Sequence, residues 1–310
     1  MPDYIPEKHH FIPAFAQRPW VTGNDGKVCE MRRMNGKVFH RRAHPNASGY
    51  KRRLYSTEGI PDDQAQHLEL NFFSPLDQKA DLALKRILAM DPAPWPIEQQ
   101  HAWIRYLMSL MYRGPDTVAL IKEHSAIMWR EALAVLEADY DERRRPTDPL
   151  DFSGYLEPTH PAAPQIGASN FLATIINGDR VGPDIAKMNW SVIRPAAEVE
   201  LLLSDKPLIR PFGLGDPDGF IMTPIAPDAI FLAPNDPEAG RRVSAMNPNW
   251  LVNEINLAVV GQAVEYVWGS DHSQIGLVRE HFGTSPLPPV ITEEQRAHAV
   301  AAARGEIGRQ

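Results

Sequence analysis

The stretch "GKVCEMRRMNGKVFHRR" (residues 26–42) decides the fold class. Two extended runs, "VCEMRR" and "KVFHRR", flank Met34-Asn35-Gly36, and Asn-Gly supplies the positive φ angles that a tight hairpin turn requires. Upstream, "EKHHFIPAFAQRPW" (7–20) reads as a further strand start. Downstream, "HPNASGYKRRLYSTEG" (44–59) reads as a loop with a short extended piece anchored by Tyr50 and Tyr55. Residues 1–60 therefore form a β-rich segment.

From residue 61 the apolar period changes to that of a helix. "DDQAQHLELNFFSPLDQKADLALKRILAM" carries two such runs, with Ser74 expected as cap and Pro75 as the first residue of the second helix. Trp103, Tyr106, Leu107 and Leu110 share one face of the next helix. Gly114-Pro115 ends it, and a long helix then runs to "DERRRP". Residues 61–145 read as a helical body and 146–168, rich in proline, as a loop or linker before a helix at 169–177. Strand-like pieces follow in "WSVIRPA", "VELLLSD", "GFIMTPIAP" and "AIFLAP". Helices are expected over "PNWLVNEINLAVVGQAVEYVWGS" and "TEEQRAHAVAAARGEIG". The expected architecture is one α+β domain over 1–285: an N-terminal β-hairpin region, a central helical body, and C-terminal mixed strands and helices (169–270) that share one sheet with the hairpin. A helical tail spans 286–310.

Composition bounds the function. At 310 residues, 43% apolar and 23% charged, the chain can bury a substantial core. No window reaches the roughly 18 uncharged apolar residues of a membrane span. "MPDYIPEKHH" lacks the basic-then-apolar layout of a secretory signal, so a cytoplasmic location is expected. A single cysteine, Cys29, excludes an internal disulfide and any multi-cysteine metal site. Residues 1–60 hold eleven Lys/Arg against five acids, a local +6 within a total of −7, leaving −13 for the other 250 residues. That asymmetry fits a basic segment folded on an acidic body, or a surface for nucleic acid or another anionic partner through residues 32–53, with Phe39, Tyr50 and Tyr55 for stacking.

A family resemblance lies in the order of "KHHFIPAFAQRPW", "GKVCEMRRMNGKVFHR", "YRGP", "NWSVIRPAAEVELLLSDKPLI" and "MTPIAPDAIFLAP" over roughly 8–270. The chain resembles the bacterial domain-of-unknown-function family 4238, whose members show a histidine-rich start with a following proline and aromatic-arginine pair, an Arg-x-Pro after a helix, and Ser-Asp-x-Pro at a strand end. By position the resemblance implies His9, His10, Pro13, Phe15 and Arg18; Arg113 and Pro115; and Ser204, Asp205 and Pro207. It implies no reaction.

Taken as chemistry, His9 or His10 is a candidate general base or metal ligand. Neighbours in a strand face opposite sides, so one site uses one of them. Arg113 is a candidate phosphate clamp through its guanidinium fork, or a cation at a helix C-terminus. Asp205 is a candidate orienting or metal-binding carboxylate, or a turn former. Arg18 and Ser204 are candidates for substrate contact. His40 and His44 match a histidine nuclease hairpin weakly, and "GLGDPDGF" (213–220) lacks phosphate-loop spacing. No cofactor motif is evident, and a divalent metal is compatible with these side chains. The expectation is a hydrolase or nuclease-like enzyme acting on a phosphodiester. The alternatives are a non-catalytic binding module for nucleic acid or protein in a bacterial stress or phage-defence system, and a buried polar network that maintains the fold.

Overall fold

The structure, a computed structural model, describes residues 7–306 apart from 92, 157–159, 161, 179 and 180. Parts of the N-terminal reading (1–6), of the proline-rich segment and of the C-terminal tail (307–310) lie outside the described residues.

The strands in chain order are β1 Lys8–His10, β2 Val28–Met34, β3 Lys37–Ala43, β4 Tyr50–Arg52, β5 Ser191–Ile193, β6 Leu203–Ser204, β7 Phe220–Ala226, β8 Ala229–Pro234 and β9 Tyr266–Gly269. The longer helices are α1 Ser74–Leu88, α2 Ile97–Tyr112, α3 Pro115–Arg143, α4 Ala163–Asn177, α5 Pro248–Gln262 and α6 Glu293–Ala303. The fold class is α+β.

The expected hairpin forms as read. Asn35 and Gly36 take φ of 49° and 74°, and β2 pairs β3 from Val28↔Ala43 to Met34↔Lys37. This hairpin joins C-terminal strands in an antiparallel sheet of order β3-β2-β9-β6. The expectation of one sheet is corrected in part. β5, β8 and β7 form a second sheet and β1 pairs β4 in a third. The β7–β8 hairpin completes its own ladder with β5, leaving only Ile209↔Met222 to tie the segment after β6 to that second sheet. Residues 203–210 thus bridge two sheets.

The largest departure is β9. The helix expected through residue 270 stops at Gln262, because Ala263 is extended (φ −60°, ψ 140°). Tyr266-Val267-Trp268 becomes a fully buried strand between β2 and β6. Tyr266 and Trp268 enter the larger core with the helices, whereas Val267 enters a second core with Met31, Leu202, Ile255 and Val259. A two-residue period places large apolar groups on both faces, which β-favouring aromatic and branched residues satisfy.

Smaller corrections follow the same logic. Ser74 does not cap: residues 69–73 form a π-helical turn that runs straight into α1, and Ser74 Oγ donates to Glu69 Oε1 at 3.1 Å. Within the proline-rich segment a helical turn at Phe152–Leu156 and the start of α4 at Ala163 replace part of the expected loop. Of "VELLLSD", only Leu203 and Ser204 pair as strand. Among the described residues no helix is long and apolar enough to cross a membrane.

Candidate functional site

His9, His10, Arg113 and their neighbours meet as a buried network. On β1 the two histidines point apart. His9 is fully buried, its Nδ1 accepts the Tyr55 amide at 2.9 Å, and its ring stacks on Tyr55 with centroids 5.4 Å apart. The carbonyl of His10 accepts Nη2 of Arg113 at 2.7 Å. The His10 ring lies against Tyr50, and its Nε2 is buried with no hydrogen-bond partner among the described residues. Burial, reinforced by the Arg113 and Lys8 charges, lowers His10 from 6.5 to about 4, so the ring is neutral near pH 7.

Arg113, 1% exposed, spans Asp77 in two-point fashion, Nη1 to Oδ1 at 2.8 Å and Nη2 to Oδ2 at 3.0 Å. Its guanidinium also sits 4.6 Å from the Phe73 ring centre. Burial works against the charge, but Asp77 outweighs it and holds the guanidinium above its ordinary value. Tyr55 Oη donates to the Arg113 carbonyl at 2.8 Å, so the end of α2 is fastened to β1. Beside this pair, burial pushes Glu69 up to about 7, against the pull of Arg113.

Asp205 does other work. Its Oδ1 accepts the Val264 amide at 2.8 Å, and its Oδ2 accepts those of Glu265 and Tyr266 at 2.6 and 3.0 Å. Burial nevertheless pushes the carboxyl up to about 6. This carboxylate takes the amides freed where α5 ends, and so launches β9. Ser204 Oγ, fully buried, accepts the Lys206 amide at 3.2 Å. Arg18 pairs with Asp81 on α1 at 3.1 Å. Of the candidate groups, the side chains of His9, Arg113, Ser204 and Asp205 are thus engaged with backbone, and Arg18 with a carboxylate. Among the described residues, no group of three or more His, Cys, Asp or Glu is gathered to hold a metal ion.

Where the two internal motifs meet, a different set of residues lines a cavity of about 650 Å³. Leu110, Met111 and Tyr112 come from the end of α2, and Asp116, Thr117 and Leu120 from the start of α3. Lys206, Leu208 and Arg210 come from the segment after β6. Gln262 to Val264 form the bend before β9, Arg33 reaches in from β2, and residues 286–290 close one side as a strap. Lys206 Nζ reaches both oxygens of Asp116 at 2.9 Å. A Cβ on Gly114 would stand 2.7 Å from Asp116 Oδ1 and 3.0 Å from Lys206 Nζ, so the glycine makes room for this pair. Arg33 donates to the Phe282 carbonyl at 3.0 Å and lies over the Phe282 ring at 5.0 Å. Arg210 is exposed. Neither arginine meets a carboxylate among the described residues. Gln262 is 9% exposed, and its Oε1 has no partner among the described residues.

Reasoning from sequence missed Asp116, Lys206, Arg210 and Gln262 as a group. The usable signal was that Asp116 directly follows "YRGP" and Lys206 lies within Ser204-Asp205-Lys206-Pro207. The basic stretch 32–53 is largely spent within the molecule. Arg32 Nε binds Glu265 at 2.8 Å, Arg41 binds buried Glu30 at 2.7 Å, and Arg42, Arg52 and Arg53 pair with Asp25, Glu7 and Asp62. Glu30 also accepts from Ser48 Oγ, which in turn accepts from Trp268 Nε1 at 2.7 Å.

Fold and cleft together define an α+β protein with a part-apolar cavity whose unpaired charges, among the described residues, are positive. The chain belongs to the family described as protein of unknown function (DUF4238), whose model matches residues 8–273. No curated protein and no solved structure matches the chain. The strap at 286–290 lies beyond the matched residues, so this wall of the cavity is built from chain outside the family's matched span.

Proposed function

We propose that this chain is a binding protein for a small anionic ligand with an apolar body, held in the cleft between α2, α3 and the bend before β9. One observation carries the reading: Arg33 and Arg210 line the same cavity and neither is neutralised by a carboxylate among the described residues. A guanidinium beside an apolar wall favours an anion, because partial exclusion of water strengthens the attraction relative to bulk. The floor of Leu110, Met111, Leu120 and Leu208 supplies apolar area.

The hydrolase reading would need a base and a carboxylate at a reacting centre open to substrate, and the engagement of His9, Arg113 and Asp205 gives it no support. A long nucleic acid finds few free charges on residues 32–53, where five arginines already hold carboxylates. The reading is of a protein working in the bacterial cytoplasm, in keeping with its single cysteine. Titration calorimetry of the full chain with small carboxylates and phosphates tests it. Binding at about millimolar concentration or tighter, weakening with added salt and lost in Arg33→Gln/Arg210→Gln, is expected. Binding unchanged in the double variant would place the ligand elsewhere.

A further inference from the structure

We infer that the ligand of this cleft is a phosphomonoester whose apolar body carries a hydroxyl or amine donor, an inference that rests on the anion-binding reading above. The charge arithmetic comes first. Lys206 is neutralised by Asp116, so two positive charges, those of Arg33 and Arg210, remain to be met. A phosphomonoester carries close to two negative charges near neutral pH, whereas a carboxylate carries one. Guanidinium forks also match the tetrahedral oxygens of phosphate by two-point hydrogen bonds. The Arg33 fork is fixed for this by its bonds to the Phe282 and Val264 carbonyls and by the ring beneath it.

The start of α3 supplies a second element. Asp116 and Thr117 lie in its first turn and line the cleft, and the first intrahelical bond runs from the Val118 amide to the Gly114 carbonyl at 2.9 Å. The two preceding amides therefore have no helical acceptor, and this end of a 29-residue helix carries partial positive charge.

Gln262 supplies the third, independent element. Its amide oxygen is an acceptor in a residue nine-tenths buried at the cleft wall, with no donor among the described residues. Arg33 spends its bonds on the Phe282 and Val264 carbonyls, and neither cavity arginine donates to this oxygen. A ligand N–H or O–H satisfies it, and an orphaned buried acceptor is costly enough to mark a position where a donor belongs.

The test uses the full chain and matched probes: 4-(2-hydroxyethyl)phenyl phosphate, phenyl phosphate, 4-(2-hydroxyethyl)benzoate and the neutral 4-(2-hydroxyethyl)phenol, each titrated by calorimetry. The hydroxyethyl phosphate is expected to bind about tenfold or more tighter than the benzoate. Arg210→Gln, at an exposed position that leaves the fold intact, is expected to weaken it about tenfold. Gln262→Leu should reduce the hydroxyethyl phosphate to the affinity of phenyl phosphate while leaving phenyl phosphate unchanged. Equal binding of phosphate and carboxylate overturns the ligand class and leaves the anion cleft standing. Failure of all anions to bind at about 10 mM overturns both. Equal loss of both phosphates in Gln262→Leu overturns the assignment of the donor contact.

Discussion

Lys206 Nζ stands 2.9 Å from each carboxylate oxygen of Asp116. The two residues are ninety positions apart; Asp116 follows "YRGP" and Lys206 lies within "SDKP". The motifs converge on one cleft, but through Lys206 and Asp116. Arg113 and Asp205 act behind it, one fastening the end of α2 to β1 and the other holding the bend before β9.

The pair makes a signed prediction for binding. Asp116→Asn removes the only carboxylate lining the cleft among the described residues and frees the Lys206 charge, so affinity for phenyl phosphate should rise about 3- to 10-fold at low salt. Asp116 is half exposed, so stability should fall by only about 1 kcal/mol or less. Calorimetry at two salt concentrations checks the first statement, and a fall in affinity would contradict it.

Arg113→Met should be severely destabilising, by about 3–5 kcal/mol, because it leaves Asp77 largely buried without its cation. The double variant Arg113→Met/Asp77→Leu should recover part of that loss, since the uncompensated charge goes with it. Urea unfolding of the two variants decides. A single variant as stable as the parent would mean that the pair contributes nothing.

Asp205→Asn should cost about 2–3 kcal/mol. One oxygen is replaced by an amide donor that faces the Glu265 and Tyr266 amides, leaving donors opposed to donors. Hydrogen exchange at residues 264–266 should quicken most, since these amides lose their acceptor. Uniform change across the sheet would contradict a local role.

Glu69 predicts the pH dependence. Its carboxyl is raised from 4.5 to about 7 by burial, so the stability it contributes is complete below pH 4.5 and lost as pH rises through 7. His10, lowered from 6.5 to about 4 chiefly by burial, has the opposite sign: its contribution is complete above pH 6.5 and lost as pH falls through 4. Above pH 6.5 the Glu69 effect therefore stands alone. Glu69→Gln should flatten the fall in stability between pH 6.5 and 8, gaining about 1 kcal/mol or less on the parent across that interval. Urea midpoints at pH 5, 6.5 and 8 test this, and a parent whose stability climbs from pH 6.5 to 8 would refute it.

Much of the fold was legible because its signals are local. Asn35-Gly36 specifies a hairpin through backbone sterics, Gly114-Pro115 separates α2 from α3, and the helical period of residues 74–88 follows from one buried face. β9 was not legible. Residues 248–270 read as one helical stretch, and the helix ends at Gln262 where the Asp205 carboxylate, fifty-nine residues before Val264, accepts the amides at the bend.

The cleft was legible still less. The sequence by itself determined the α+β class, the hairpin, the break between α2 and α3 and the motifs that bring this chain into its family. It also marked His9, His10, Arg113 and Asp205 as constrained positions without saying by what. Only the tertiary structure decided that the side chains of His9, Arg113 and Asp205 hold backbone, and that Arg33, Asp116, Lys206, Arg210 and Gln262 share one cavity. Local periodicity encodes which face of an element is apolar. Which charges end up unpaired is a property of the whole packed chain, because each is set by partners from other elements.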